Sequence, residues 1–200
     1  MRTPDVDARA LARVSARAAA VGCAALALAA IACTAKPDEG GAIVEPTDSG
    51  AISVTSDAFA QGERIPDAYT CEGGQDVSPD LAWSNIPDEA VELVLIVDDP
   101  DAPGGVFTHW IVYGIDPGQT AVGRNQVPAG AVQGTNSFGT QRWGGPCPPP
   151  GDPPHRYRFT VWALREALPL EPGADVRIVR EVLAPLAVAE GTLTGTFSRG

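Results

Sequence analysis

The segment from Val91 to Ile115 constrains the fold most, because a strongly apolar run stops at a cluster of carboxylates and then resumes. Residues 91–97 are aliphatic except for Glu92, which predicts a strand covered on both faces. Three carboxylates and two prolines follow it, namely Asp98, Asp99, Asp101, Pro100 and Pro103. Since burying an unpaired carboxylate is costly, these side chains are expected to reach solvent or to find partners at the end of the strand.

The chain alternates again after Gly105, which predicts a second strand from Phe107 to Ile115. The residues on its first face would be Phe107, His109, Ile111, Tyr113 and Ile115. His109 is therefore expected to point in the same direction as the core residues.

A second segment, residues 134–164, begins as a loop rich in Gly and Pro and becomes a predicted strand at His155. On that strand His155 and Tyr157 share a face, while Arg156 and Arg158 take the other. We expect these arginines to be structural partners rather than ligand contacts, and we expect Asp98 either to cap a turn or to pair with one of them. The chain has only two histidines, and both are predicted to face inward at the start of a strand beside a rigid loop, which indicates a functional site.

The rest of the chain predicts one mainly β domain. Its 200 residues fit a single domain with tails, and 22 glycines with 19 prolines favour short strands and many turns. One helix is expected after Asp175, a suitable N-cap, with four apolar residues along one side: Val176, Val179, Leu183 and Leu186. The formal net charge of −11 makes a nucleic-acid partner unfavourable.

The N-terminus resembles a bacterial lipoprotein signal. A leader with four arginines precedes the apolar run 18–32, which is short for a membrane span, and Cys33 follows small residues. This resemblance implies a signal peptide over 1–32, lipidation of Cys33, a disordered acidic tether over 33–50, and a domain over 51–200. The alternative is an ordinary secretory signal. Either reading predicts export, and the first predicts an extracytoplasmic protein anchored in the cell membrane by lipid.

Cysteine usage agrees with export. Cys23 would leave with the signal and Cys33 would carry lipid, so the domain retains Cys71 and Cys147. An even pair in an oxidising compartment indicates a disulfide. Two reduced, buried thiols are the alternative.

Four side chains from the two segments would form an anion site if the fold brought them together: Asp99, His109, His155 and Tyr157. A neighbouring carboxylate would hold one or both histidines partly cationic near neutral pH. The tyrosine hydroxyl and free amides near Gly144 and Gly145 would add donors. The prolines fix the loop in advance, so little entropy is lost when a phosphate-sized anion binds.

Two motifs carry a resemblance to a known family. DPDAP followed by HW, and GGPCPPPG followed by HRY, together with YTCEG, SPDLAW and GTFSR, resemble the phosphatidylethanolamine-binding protein (PEBP) family in its bacterial, Raf-kinase-inhibitor-like or YbhB/YbcL-like branch. The resemblance runs from about Ile52 to the C-terminus. It implies two β-sheets with a few short helices, and a small surface pocket for phosphate or phospholipid head groups.

The same resemblance implies the pocket residues and their role. Carried over position by position, they are Asp99, Asp101, Pro103, His109, Gly145, Pro146, His155 and Tyr157. The resemblance also implies a cis bond between Ala102 and Pro103. It predicts a binding protein rather than an enzyme, with no cofactor and no metal, whose partners are a small anion and, through the anchor, the membrane.

Two other classes of function stay open. Asp99, His109 and His155 could hold zinc or iron in a metal-dependent hydrolase, although the short His spacings typical of such sites are missing. A protein-interaction module, such as a protease or kinase inhibitor, is the second alternative, because a fold does not determine a function.

Overall fold

The structure is a computed structural model, and it describes residues 51–200. The predicted signal peptide, Cys33 and the tether lie outside the described residues. In chain order the strands are β1 (Ser53–Thr55), β2 (Leu81–Ser84), β3 (Glu92–Asp99), β4 (Phe107–Ile115), β5 (Ala121–Val122), β6 (Val132–Gln133), β7 (His155–Leu164) and β8 (Ala187–Phe197). A 3-10 helix spans Asp67–Tyr69, and α1 spans Val176–Leu183.

The strands form two antiparallel sheets, as predicted for a mainly β fold. The smaller has the order β1, β2, β5, and the larger has the order β6, β4, β3, β7, β8. Within residues 51–200, no helix has the length and apolar character needed to cross a membrane.

Strand β3 lies at the centre of the larger sheet and is buried on both faces, which explains its aliphatic run. One face, including Leu95 and Val97, joins the core shared with the smaller sheet. The opposite face, with Val94 and Ile96, packs in the cluster that contains residues of α1. Glu92, the one charged residue of the run, is buried and accepts hydrogen bonds from two backbone amides, those of Gly114 (2.9 Å) and Leu168 (3.0 Å).

The helix begins where the sequence predicts, but it ends at Leu183, so the placement of Leu186 in the helix was wrong. The Asp175 carboxylate accepts a hydrogen bond from the Arg177 amide at 2.9 Å, which caps the first turn. Val179 and Leu183 are buried, and Pro185 follows within two residues of the last helical position.

The predicted partner of Asp98 was wrong. Its carboxylate binds Arg180 of α1 at 2.6 Å and accepts from the Thr108 hydroxyl at 2.8 Å. The reason is the face on which Asp98 lies: it points to the side of the larger sheet that α1 covers. Arg156 pairs with another residue, described below.

Candidate functional site

A cavity of about 160 Å³ lies where β3 ends and β4 and β7 begin. Five of the predicted site residues line it: Asp99, Pro103, His109, His155 and Tyr157. Ala102, Phe107, Phe138, Cys147, Pro148 and Pro149 complete its walls. The two segments, which are distant in the sequence, therefore meet at this cavity. Pro148 and Pro149, from the loop before His155, form one side of it.

A β-bulge places His109 in this cavity. Val97 pairs with Trp110 and Asp98 pairs with Thr108, so His109 is an extra residue on β4 without a partner on β3. The expected alternation was therefore wrong in detail, since Ile111 packs on the helix side of the sheet. The buried His109 ring instead lies against Tyr157 of β7, with ring centroids 5.2 Å apart.

The backbone fixes the tautomer of His109. Its Nδ1 lies 2.7 Å from the carbonyl oxygen of Gly144, and a carbonyl only accepts, so the hydrogen is on Nδ1. Burial lowers the pKa of His109, against the opposing effects of the Gly144 bond and nearby carboxylates. The ring is therefore neutral near pH 7, and its remaining nitrogen, Nε2, is a hydrogen-bond acceptor.

The pKa of His155 shifts in the opposite direction. Its Nδ1 donates to Asp99 Oδ2 at 2.7 Å, and both side chains are nearly inaccessible, at 6% and 5% exposure. Asp152 Oδ2 lies 3.6 Å from the other ring nitrogen, Nε2. Burial opposes the charge on the ring, but hydrogen bonds and charges from Asp99 and Asp152 outweigh it, so the pKa of His155 is raised. The prediction of a partly cationic histidine thus holds for one ring of the two.

Asp152 is a site residue that sequence reasoning missed. It lies three residues before His155 in the run GDPPH, and its side chain is 39% exposed at the edge of the site. The signal was present, since two prolines between an aspartate and a histidine restrict how far the two side chains can separate.

The hydroxyl of Tyr157 is buried without a partner. The residue is 1% exposed and lines the cavity, yet its oxygen forms no hydrogen bond with any described residue. Burial, and then the charge and the nearby carboxylate oxygens of Asp99, raise the pKa of Tyr157, so the group stays protonated; the hydroxyl lies near Asp99 but outside hydrogen-bond geometry. Both Asp99 oxygens already accept hydrogen bonds, from His155 and from the Asp101 amide at 2.8 Å. A buried donor left unsatisfied costs about 1–3 kcal/mol, which makes it a marker of function.

Asp101 lies beside the cavity rather than in its wall. Its carboxylate accepts from Arg156 Nε at 2.8 Å, from Nη2 at 2.6 Å, and from the Arg156 amide at 2.9 Å. These hydrogen bonds to Arg156 lower the pKa of Asp101 to about 2. Asp101 therefore ties the turn after β3 to the start of β7.

Gly145 and Pro146 are the other two predicted residues, besides Asp101, that do not line the cavity. The Gly145 amide donates to Asp76 Oδ1 at 2.7 Å, and the Gly144 amide donates to the His109 carbonyl at 3.2 Å. The expected nest of free amides was therefore wrong, because the protein itself uses both donors. Gly145 lines a second cavity, of about 420 Å³, beyond Phe138 and Cys147. The Pro146 carbonyl accepts from the amide of Cys71 at 3.1 Å.

The expected cis bond before Pro103 was wrong, since residues 51–200 contain no cis peptide. The turn closes instead through the Gly105 amide, which donates to the Ala102 carbonyl at 3.0 Å. Gly105 has φ 103°, a conformation that favours glycine.

Cys71 and Cys147 form the predicted disulfide, with Cα atoms 5.4 Å apart across 76 residues. Cys147 also lines the site cavity, so the bond ties the second loop to the segment after the 3-10 helix. In the described part of the chain, no three His, Cys, Asp or Glu side chains cluster as a metal centre requires.

Comparison with known proteins gives consistent matches. Residues 55–198 match the family model described as phosphatidylethanolamine-binding protein. A UPF0098 protein of Methanothermobacter thermautotrophicus is 43% identical over 154 residues, which cover 74% of this chain and all of that protein. LppC of Mycobacterium tuberculosis, which is named as a lipoprotein, is 45% identical over 146 residues, or 73% of this chain and 72% of LppC. The crystal structure of Escherichia coli YbcL superposes with a TM-score of 0.71 at 34% identity, over 74% of this chain and 99% of that one.

Proposed function

The chain belongs to the phosphatidylethanolamine-binding protein family, and from that premise we propose that its small cavity binds a phosphate-type anion, either free or as the head group of a phospholipid. The family description is of a binding protein, and the proposal is binding without catalysis. The ligand would lie between the two histidines and Tyr157, with Asp99 behind them.

The unpaired Tyr157 hydroxyl is the observation that carries this proposal. Tyr157 and His155 are two residues apart on β7, so they project from the same face of the sheet. Together they offer a hydroxyl donor and, on the cationic ring, the N–H at Nε2. An anion that accepts from both would satisfy the buried hydroxyl and compensate the ring charge.

Local charge pairing makes an anion acceptable in an acidic protein. Asp99 is neutralised by His155, and Asp101 is neutralised by Arg156. Asp152 is the remaining carboxylate near the ring, and its exposed side chain can turn toward solvent when a ligand enters. The negative charges around the cavity are thus compensated or able to move away.

Replacing Tyr157 with Phe tests the proposal. Calorimetric titration with phosphate and phosphoethanolamine should show affinity about 10- to 100-fold weaker in Tyr157→Phe, because one hydrogen bond to a charged ligand is lost. Thermal stability should stay equal or rise, since the lost hydroxyl has no partner in the free protein.

Tyr113→Phe is the matched control. The Tyr113 hydroxyl donates to the Glu171 carbonyl in the other core cluster, so this variant should lose about 1 kcal/mol of stability and retain full affinity. Equal affinities in all three proteins would contradict the assignment of Tyr157, and absence of binding to the wild type would contradict the proposed function.

Membrane anchoring through Cys33 is the second part of the proposal, supported by the similarity to a relative named as a lipoprotein. Expression in a bacterial host should give a membrane-fraction protein that has lost residues 1–32 and gained the mass of a diacylglyceryl group. Cys33→Ser should remove the lipid mass, whereas the control Cys23→Ser should not. Cleavage at another residue without added lipid would favour the ordinary secretory signal.

A further inference from the structure

The atoms that the cavity leaves for a ligand are of two kinds. Tyr157 O–H donates, and so does His155 Nε2–H once Asp152, 3.6 Å away, has turned from it, whereas His109 Nε2 accepts, because its Nδ1 hydrogen is already donated to the Gly144 carbonyl. A ligand that fits this set must accept from two groups and donate to a third. A fully ionised oxyanion can only accept, so it would place an oxygen lone pair against the lone pair of His109.

Resting on the proposed function, we propose that the site selects oxyanions that carry a hydrogen on one oxygen, namely inorganic phosphate and singly protonated phosphate monoesters, over sulfate and phosphate diesters. Sulfate matches phosphate in shape but has no hydrogen at neutral pH, and a diester has none on its phosphoryl oxygens. The cavity would therefore favour free phosphate or a monoester over an intact phospholipid head group.

The surroundings of His109 determine how a fully ionised anion could still bind. Asp98 and Asp99 of β3 and Asp76 of the loop before β2 favour a charged ring, although burial outweighs them. Tyr157 and His155 face the ring from β7. An ionised ligand would therefore enter only with uptake of one proton from solvent, onto His109 Nε2. Whether the hydrogen arrives with the ligand or is taken from solvent, the complex has one hydrogen between His109 Nε2 and the ligand oxygen. The two routes therefore give the same total number of protons in the complex.

Unpaired polar groups allow such a site to distinguish ligands that carry the hydrogen from ligands that lack it. Binding a ligand that lacks the hydrogen leaves a buried acceptor facing negative charge, and sites with this design reject the incomplete ligand strongly. The small size of the cavity reinforces this effect, because about 160 Å³ leaves little room for an anion to shift away from His109.

Titration calorimetry with phosphate, sulfate and dimethyl phosphate, on the purified chain at pH 6 and pH 8, tests the inference. We expect phosphate to bind at least about 10-fold more tightly than either of the other two at both pH values. Phosphate carries a hydrogen on at least one oxygen at both pH values, so its advantage over sulfate should persist, while its affinity should fall from pH 6 to pH 8 as His155 loses its proton. Any binding of sulfate should take up one proton, so its heat should depend on the ionisation enthalpy of the buffer.

His109→Gln provides the contrast, because its side-chain amide can donate where the imidazole only accepts. This variant should bring the phosphate and sulfate affinities to within about 3-fold of each other, and its melting curve verifies folding. Equal binding of phosphate and sulfate by the wild type would overturn the selectivity and leave the proposed anion site intact. Binding of none of the three ligands would overturn the proposed function, and the inference with it.

Discussion

Replacing Cys71 and Cys147 together with serine is expected to lower the free energy of unfolding by about 4 kcal/mol. The disulfide closes a loop of 76 residues, and in the chain-entropy model a loop of this length restricts the unfolded chain strongly. For a domain of this size the loss corresponds to a decrease of roughly 10 °C in the melting temperature. The bond is thus expected to be one of the largest single contributions to stability.

Thermal denaturation of the wild type with and without reductant, beside the double serine variant, measures this effect. Reductant should lower the melting temperature of the wild type to that of the variant and leave the variant unchanged. Because Cys147 also forms part of the cavity wall beside Pro148 and Pro149, phosphate affinity should fall in the variant even at temperatures where it remains folded. A wild type that is indifferent to reductant would show that the bond contributes nothing.

Changing Asp99 to Asn is expected to weaken phosphate binding by about 10- to 100-fold at neutral pH, because hydrogen bonds to charged groups contribute about 1.5–3 kcal/mol. Without the Asp99 charge, Asp152 alone opposes the effect of burial, so the pKa of His155 falls below its wild-type value and less of the ring is protonated. A neutral ring with its hydrogen on Nδ1 would offer the anion a lone pair at Nε2 instead of a donor.

The same substitution should change the pH dependence of stability. The pKa of His155 is raised in the folded protein, so the stabilisation from its protonation is complete below the unfolded value of about 6.5 and is lost as the pH rises through the folded value. Urea unfolding across this range should show wild-type stability falling with pH above about 6.5, and Asp99→Asn should remove this slope.

Asp101→Asn is the matched control, two residues along the chain. It weakens the pair with Arg156 and leaves the Asp99–His155 hydrogen bond in place, so the pH slope should persist. A slope that disappears equally in both variants would show that the titrating group is not the Asp99–His155 pair.

Periodicity and capping predicted those parts of the fold that local chemistry decides. A few consecutive residues were enough to predict the buried strand β3, the alternating strand around His155 and the helix start at Asp175. Strands β5 and β6 have two residues each, too short for any pattern, and they form because their backbones meet a neighbouring strand. The last strand is predicted from the sequence only over Leu193–Phe197, whereas β8 begins at Ala187. Its first residues were missed for a related reason, since they extend a long pairing with β7.

The site was predictable as a set of residues but not in its charge states. Asp99, His109, His155 and Tyr157 do meet, yet the bulge that turns His109 toward Tyr157 depends on the pairing between strands and leaves no mark in the sequence. The Gly144 carbonyl that fixes the tautomer comes from a loop 35 residues away. Because the amides of Gly144 and Gly145 bind His109 and Asp76, their role in the site could be judged only in three dimensions.

Neighbouring aspartates at the end of β3 serve opposite sides of the sheet, Asp98 toward Arg180 and Asp99 toward His155. Sliding the strand by one position would put Val97 or Pro100 opposite one of the two cations and leave that cation without a carboxylate partner. The same shift would separate the Glu92 carboxylate, at the other end of β3, from both of its amide donors. Charged side chains at both ends of the strand therefore oppose a shift in register, and the register determines which aspartate lies at the cavity.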